Sequence, residues 1–160
     1  MNISDIHSQA LQLLNSDNSD YDSAKLMPYC QDGIAYIQNQ RISANDPDVI
    51  TQATTTFASP INKPSDFFAF VPPKSNYPVI IQNGQIKTTS SSYPQVTFKY
   101  AQKVPRVNYV TDNFPLPDEF AGFVAQYISI RLQSDNSMDV SQDMTILQND
   151  INAFLKAKGG

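Results

Sequence analysis

PLPDEFAGFVAQYISIRL, residues 115–132, combines a helix start signal with apolar residues at helical spacing. Pro117 suits the first position of a helix, and the charges of Asp118 and Glu119 are favourable at the helix N-terminus. The apolar residues that follow fall on one helical face: Phe120, Phe123, Val124, Tyr127, Ile128 and Leu132. The stretch therefore predicts a helix with a strongly aromatic face.

Three more helices are predicted near the two ends of the chain. The first has Ser4 as its N-cap and Asp5 at its positive end. The second runs from about Tyr21 or Pro28 to Arg41, and Pro28 is either its first residue or a kink. The last contains Met144, Leu147, Ile151, Phe154 and Leu155, and the final KAKGG is expected to be a basic, flexible tail.

The middle of the chain is expected to be irregular and then β-structured. Prolines 60, 64, 72, 73 and 78 exclude a long helix there, while 49–54 predicts at most a weak helical turn. The segment around residues 67–70 is expected to form a short helical turn or an irregular strand. Its apolar rings, Phe67, Phe68 and Phe70, are expected to be buried by other residues.

Residues 78–111 carry the strand signals of the sequence. Asn83-Gly84 predicts a type I′ hairpin between strands 79–82 and 85–88. Alternation of apolar residues predicts further strands around Val96, Phe98 and Tyr100 and around Val107 and Tyr109. This pattern indicates three or four short antiparallel strands.

Together these elements predict a mainly α fold with a small antiparallel β insertion. The helices before and after the insertion are expected to close into one four-helix bundle-like core, with the strands projecting as a wing. At 160 residues we expect a single domain, with helical core 1–58 and 112–158 and a β-rich insertion at about 60–111.

Charge and composition favour an associating protein over a nucleic-acid or membrane binder. The net charge is −4, yet the stretch from Lys63 to Arg106 carries +5 and the remainder −9, which suits a subunit whose basic part meets the acidic part of a neighbour. Only 16% of residues are charged, so contacts would be largely polar and uncharged. Without a signal-peptide pattern or an apolar run of membrane-spanning length, we expect a soluble product made in the cytosol.

No set of residues in the sequence predicts catalysis, a cofactor or a metal site. His7 is the only histidine. Because Ser4 is expected to cap the helix, it is not available as a nucleophile beside His7, and His7 is expected to be an exposed helix residue. SDNSDYDS, residues 16–23, lacks the glycine and glutamate of a calcium loop and predicts a polar turn. Asp118 and Glu119 are explained by the helix start, the five glycines form no phosphate loop, and the single Cys30 forms no internal disulfide.

The helical parts of the sequence resemble the head-tail connector or adaptor proteins of tailed bacteriophages. The resemblance rests on Leu116, Pro117 and Asp118 at a helix start, Tyr127 in its middle, an acidic break at Asp135 and Asp139, and a final helix. It extends to YDSAKLMPYCQDGIAYIQNQR, residues 21–41, and covers about two thirds of the chain. Asp32-Gly33 departs from the family, which often has Asn or Glu there.

The resemblance implies a structural virion protein without enzymatic activity or cofactor. It implies a ring of twelve copies at the neck, under the portal, that extends the DNA channel without specific DNA binding and carries a stopper, tail or nozzle protein. The aromatic face of residues 120–132 would then pack on helices of its own subunit. The expected portal contacts are Phe154, Leu155, Lys156 and Lys158, and the expected subunit or tail contacts are Lys87, Lys99, Tyr100, Lys103, Arg106 and Tyr109.

Two alternatives remain open at the level of sequence. The chain could be another neck component, such as a stopper or tail-completion protein, which would be richer in strands. It could instead be a single-stranded nucleic-acid-binding accessory protein, with bases stacked on Phe98, Tyr100 or Tyr109 beside Lys99, Lys103 and Arg106.

Overall fold

The computed structural model describes residues 1–15, 21–72 and 76–159, and within them the order is two helices, six strands and two helices. The helices are α1 (Ile3–Leu13), α2 (Ser23–Ser43), α3 (Ala121–Asp135) and α4 (Ser141–Gly159), with a 3₁₀ turn, Asp118–Phe120, before α3. The strands are β1 (Ile50–Thr56), β2 (Ile61–Asn62), β3 (Phe67–Phe70), β4 (Val79–Gln82), β5 (Gln85–Thr88) and β6 (Gln95–Gln102).

The chain divides into two compact units. Met1–Ala44 and Val104–Gly160 form one, here called the helical unit, and Asn45–Lys103 forms the other, the β unit. The β unit therefore begins before the expected 60 and ends before the expected 111. Residues 16–20 of the stretch SDNSDYDS, which was considered as a calcium loop, lie outside the described residues, as does Lys74 of the basic stretch 63–106.

The prediction of a mainly α fold with a small β insertion is wrong. The described residues are 46% helical and 21% strand, in two three-stranded antiparallel sheets, which makes this an α+β fold. One cause is β1, which occupies the segment predicted as a weak helical turn. Its threonines and Ile50 are β-branched, and such side chains fit a pleated strand better than a helix.

The start of α1 is held by a capping box. The Asn2 side chain accepts a hydrogen bond from the Asp5 backbone N–H at 3.2 Å, and the Asp5 carboxylate accepts one from the Asn2 backbone N–H at 2.9 Å. The predicted cap, Ser4, is inside the helix instead, so that prediction is wrong by two residues.

Helix α2 begins at Ser23 and continues through Pro28, so of the two predicted roles Pro28 is not the first residue of the helix. Asp22 caps the helix by accepting from the Lys25 N–H at 2.8 Å. Gly33 lies where α2 meets α3, because a Cβ built there would be 3.1 Å from Tyr127 Cδ1 and 3.3 Å from Val124 Cγ1. Gly33 thus allows a close contact between the two helices.

The aromatic face of 120–132 packs inside the helical unit, as predicted. Phe120, Val124, Ile128 and Leu132 are buried in a cluster with residues of α1, α2 and α4, and Phe123 and Tyr127 pack at its margin. Only the start differs, since Asp118 and Glu119 belong to the 3₁₀ turn before α3.

The segment 104–114 is not a strand, contrary to the alternation around Val107 and Tyr109. It supports the N-terminus of α1: Ile3 N–H donates to Asp112 O at 3.0 Å and Ser4 N–H donates to Val110 O at 2.9 Å. A helix leaves its first N–H groups without internal partners, and these carbonyls supply two. Val107 is buried in the core of the helical unit, so its apolar character has a packing cause.

The β unit consists of sheets with strand orders β1-β6-β3 and β2-β5-β4. Their shared cluster contains Phe67, Val79, Ile86, Val96, Phe98 and Tyr100. The predicted hairpin is confirmed with its bounds, since Asn83 and Gly84 have φ of 52° and 71° and Gln82 pairs with Gln85. Phe70 packs at the cluster margin, but Phe68 is exposed, so the expectation that it finds cover within this chain is wrong.

Candidate interaction surfaces

His7 is buried, with 5% of its surface exposed, so the prediction of an exposed residue is wrong. Its Nε2 has no hydrogen-bond partner among the described residues, and burial lowers its pKa. The two neighbouring serines form no nucleophile with it: Ser4 Oγ donates to Asn2 Oδ1 at 2.6 Å and Ser8 Oγ donates to Ser4 O at 3.0 Å. The arrangement is that of a neutral core histidine.

Other reactive groups are likewise held in structural contacts. Burial raises the pKa of the Cys30 thiol to about 12, which keeps it protonated and unreactive. Glu119 forms an ion pair with Lys158, with Oε1 and Nζ 3.2 Å apart. In the part of the chain that the structure describes, no group of three or more His, Cys, Asp or Glu is placed to bind a metal ion.

The residues expected to contact a portal lie at the end of α4. The helix continues to Gly159, so the expectation of a flexible tail is wrong for residues 156–159. Leu155 is buried, and the Phe154 ring packs on Phe120 and Phe123 at centroid distances of 5.4 and 5.7 Å. Lys158 lies over the Phe120 ring in addition to its ion pair, and both Lys156 and Lys158 are exposed.

The six residues expected to contact a subunit or tail are divided between the two units. Lys87, Lys99, Tyr100 and Lys103 belong to the β unit, whereas Arg106 and Tyr109 belong to the helical unit.

Only some of these six side chains are available on a surface. Tyr100 is buried and its hydroxyl donates to Asp66 Oδ1 at 3.2 Å, while burial and this carboxylate raise its pKa. Lys99 lines a cavity of about 310 Å³ in the β unit, and Arg106 lines one of about 360 Å³ in the helical unit. Tyr109 is 70% exposed, on a turn held by the Asp112 carboxylate. Tyr100 is therefore unavailable to a partner, whereas Tyr109 is accessible.

The β4–β5 hairpin carries one of the predicted contact residues, Lys87, beside apolar residues that were not predicted as contacts. Ile80 and Ile81 are 38% and 41% exposed, although both are apolar. Ile80 is paired directly with Lys87 across the hairpin, so these two side chains share a face. β4 is also at the edge of its sheet. We call the face that carries Ile80 and Lys87 the hairpin surface.

A second such surface is a groove of about 230 Å³ in the helical unit, here called the helix groove. Its apolar walls include Ile130 and Leu147, which are buried, and Leu13 and Ile146, which are 53% and 49% exposed. Asp143 is the charged residue among the described residues that line it.

A sequence signal for both surfaces existed. Two adjacent isoleucines in a strand cannot both face the same side, so one of Ile80 and Ile81 had to point away from the core. Ile146 and Leu147 pose the same problem on a helix, where neighbouring residues are about 100° apart. What the sequence could not show is that Leu13, from the other end of the chain, joins Ile146 at one groove.

Comparison with known proteins yields no match, either to a protein-family model or to a curated protein. Among the described residues, every helix is too short or too polar to cross a membrane. The molecule is thus defined by its α+β fold and by its two partly apolar surfaces.

Proposed function

We propose that this protein is a structural subunit of the neck of a tailed bacteriophage. It acts as a head-tail adaptor that forms a ring, of twelve copies to match the portal, around the channel through which DNA passes. The ring joins the portal to a stopper, tail or nozzle protein. In this role the chain binds proteins and carries out no chemistry, and its place is in the virion.

The observation that carries this proposal is the pair of exposed apolar surfaces, one on each unit. Side chains such as Ile80, Leu13 and Ile146 gain free energy when a partner covers them, about 25 cal/mol per Å² of apolar surface removed from water. An exposed edge strand is moreover a site where another chain can add hydrogen bonds. Both features suit a subunit that is covered on several sides in an assembly.

The helical unit adds support through the resemblance. Segments from both ends of the chain build one core, and the helix that follows Leu116, Pro117 and Asp118 packs its aromatic face into that core. This arrangement agrees with the adaptor interpretation of residues 115–155.

The single-stranded nucleic-acid alternative is weakened by the β unit. Phe98 and Tyr100, which would stack on bases, are buried on the inner face of their sheet, whereas Lys99 between them is exposed. A stacking platform needs aromatic rings and cations on the same accessible face. The other alternative, a stopper or tail-completion protein, is supported by the six strands, because such a protein is expected to be richer in strands. It differs from an adaptor in the order of binding, since an adaptor binds the portal directly.

The test mixes the purified protein with the portal of the same virus and measures the mass of the product by light scattering. An adaptor forms a stable complex with about one copy per portal subunit. Absence of portal binding refutes the adaptor proposal. Binding only to a portal that already carries another neck protein points to a stopper, and steeply salt-dependent binding to a single-stranded oligonucleotide supports the nucleic-acid alternative.

A further inference from the structure

We infer that copies of this chain associate head to tail, with the hairpin surface of one copy seated in the helix groove of the next. The inference rests on the proposed function, because it names the contact that builds the ring. It commits both surfaces to a single partner, a second copy of this chain.

The two surfaces match in the position of their apolar and charged groups. On the hairpin, Ile80 and Lys87 are cross-strand partners, whose Cβ atoms lie about 5 Å apart. On α4, Asp143 and Ile146 are three residues apart and share a helix face at about the same spacing. Ile80 can therefore contact Ile146 while the Lys87 ammonium meets the Asp143 carboxylate.

The charge of the surrounding regions favours the same pairing. Residues 79–88 contain one lysine and no acidic residue, whereas the charged member of the groove is acidic. The whole β unit has a net charge of +2 by sequence, and the helical unit has −6. A contact between the β unit of one copy and the helical unit of another is therefore electrostatically attractive, whereas a contact between two like units is repulsive, and both effects are screened by salt.

A contact between two different patches has a geometric consequence. Each copy offers its hairpin to one neighbour and its groove to another, so the association is heterologous and closes into a ring when the rotation per copy divides a full turn. If the rotation per copy did not divide a full turn, the same pair of surfaces would make an open filament. An adaptor ring requires such a repeating contact.

The experiment measures self-association by sedimentation velocity over a range of protein concentrations, and ring formation on the portal by light scattering. Ile80→Asp and Ile146→Asp each place a carboxylate in the contact. We expect each to raise the Kd between copies by tenfold or more, on the order expected for a central interface residue. The matched controls are Phe68→Asp and Met138→Asp, which change apolar residues outside both surfaces that are more exposed than Ile80 and Ile146, and they leave the Kd unchanged.

Two further mixtures identify the pairing itself. Lys87→Glu or Asp143→Lys alone places like charges opposite each other and weakens association, while both changes in one chain restore it. Equal amounts of Ile80→Asp and Ile146→Asp should form a dimer, since one copy retains the groove and the other retains the hairpin. Circular dichroism of each variant confirms that it is folded.

The outcomes separate this inference from the proposed function. If wild type and all variants form the same complex on the portal with equal affinity, the adaptor proposal stands and the hairpin–groove contact is refuted. If the variants weaken self-association but wild type ignores the portal, the contact stands and the adaptor proposal fails. A wild-type protein that is monomeric alone and with the portal refutes both.

Discussion

Replacement of Leu155 by alanine tests whether the end of α4 belongs to the folded core. The side chain is buried, and it joins the cluster formed by all four helices. Removing three carbons of a buried leucine costs the transfer free energy and leaves a cavity, together about 3 kcal/mol within a range of 2–5 kcal/mol. With a urea m-value of about 1.5–2 kcal/mol per M, the unfolding midpoint should fall by about 1.5–2 M.

The assay is equilibrium unfolding in urea, followed by far-ultraviolet circular dichroism at a concentration where the protein is monomeric. The matched control is Lys156→Ala, which changes an exposed residue in the same turn of α4. It should alter the free energy of unfolding by no more than about 0.5 kcal/mol. Equal midpoints for the two variants would refute the packing argument and restore the flexible tail that the final KAKGG suggested.

The remaining predictions concern a titration and three glycines. In wild type, stability should fall as the pH drops below 6.5, because the lowered pKa of His7 means that the unfolded chain binds the proton first. The free energy of unfolding should decrease by at most about 1.4 kcal/mol per pH unit from this group, and His7→Leu should abolish that decrease. Urea midpoints measured between pH 7 and pH 5 test this. Equal losses in both proteins would contradict this. Gly33→Ala should lower the unfolding free energy by about 1 kcal/mol, because crowding of the Tyr127 ring outweighs the gain in helix propensity, whereas Gly122→Ala, in open space on α3, should raise it by a few tenths or more. If thermal melts showed that both substitutions raise the melting temperature, the crowding at Gly33 would be relieved without cost. Gly84→Ala should cost about 1–2 kcal/mol because φ is +71°, although no atom lies within 4 Å of the new Cβ, and an unchanged melting temperature would contradict the strain argument.

Local signals predicted the elements whose formation depends on neighbouring residues. Asn83-Gly84 tolerates the positive φ of a tight hairpin, and the strands on both sides have the predicted bounds. The alternation in β6 is equally local, since buried and exposed positions follow the period of two.

The failures occurred where a distant partner decides the structure. The segment 106–111 alternates like a strand, yet the carbonyls of Val110 and of the next residue but one, Asp112, accept hydrogen bonds from the first N–H groups of α1, about a hundred residues away in sequence. His7 carries a polar side chain on a helix, and only the packing around α1 removes it from water. The lysines of the final turn looked like a mobile tail because neither the ion pair with Glu119 nor the Phe120 ring is near them in sequence.

The candidate surfaces show the same division. The residues named from sequence were chosen by charge and aromatic character, and they fall on both units, with Tyr100 in a core. On the exposed hairpin, Lys87 was predicted as a contact residue but Ile80 was not, because the accessibility of Ile80 depends on which strands cover its sheet.

By itself, the sequence determined the four helices, the hairpin and the apolar faces, because helical period, strand alternation and turn residues act over a few neighbouring positions. The tertiary structure alone decided the α+β character, the neutral burial of His7, the attachment of the last turn of α4 and the joining of Leu13 to Ile146 at one groove. Each of these depends on contacts between residues far apart in the chain, and such contacts are selected by the burial and hydrogen bonding of the whole fold.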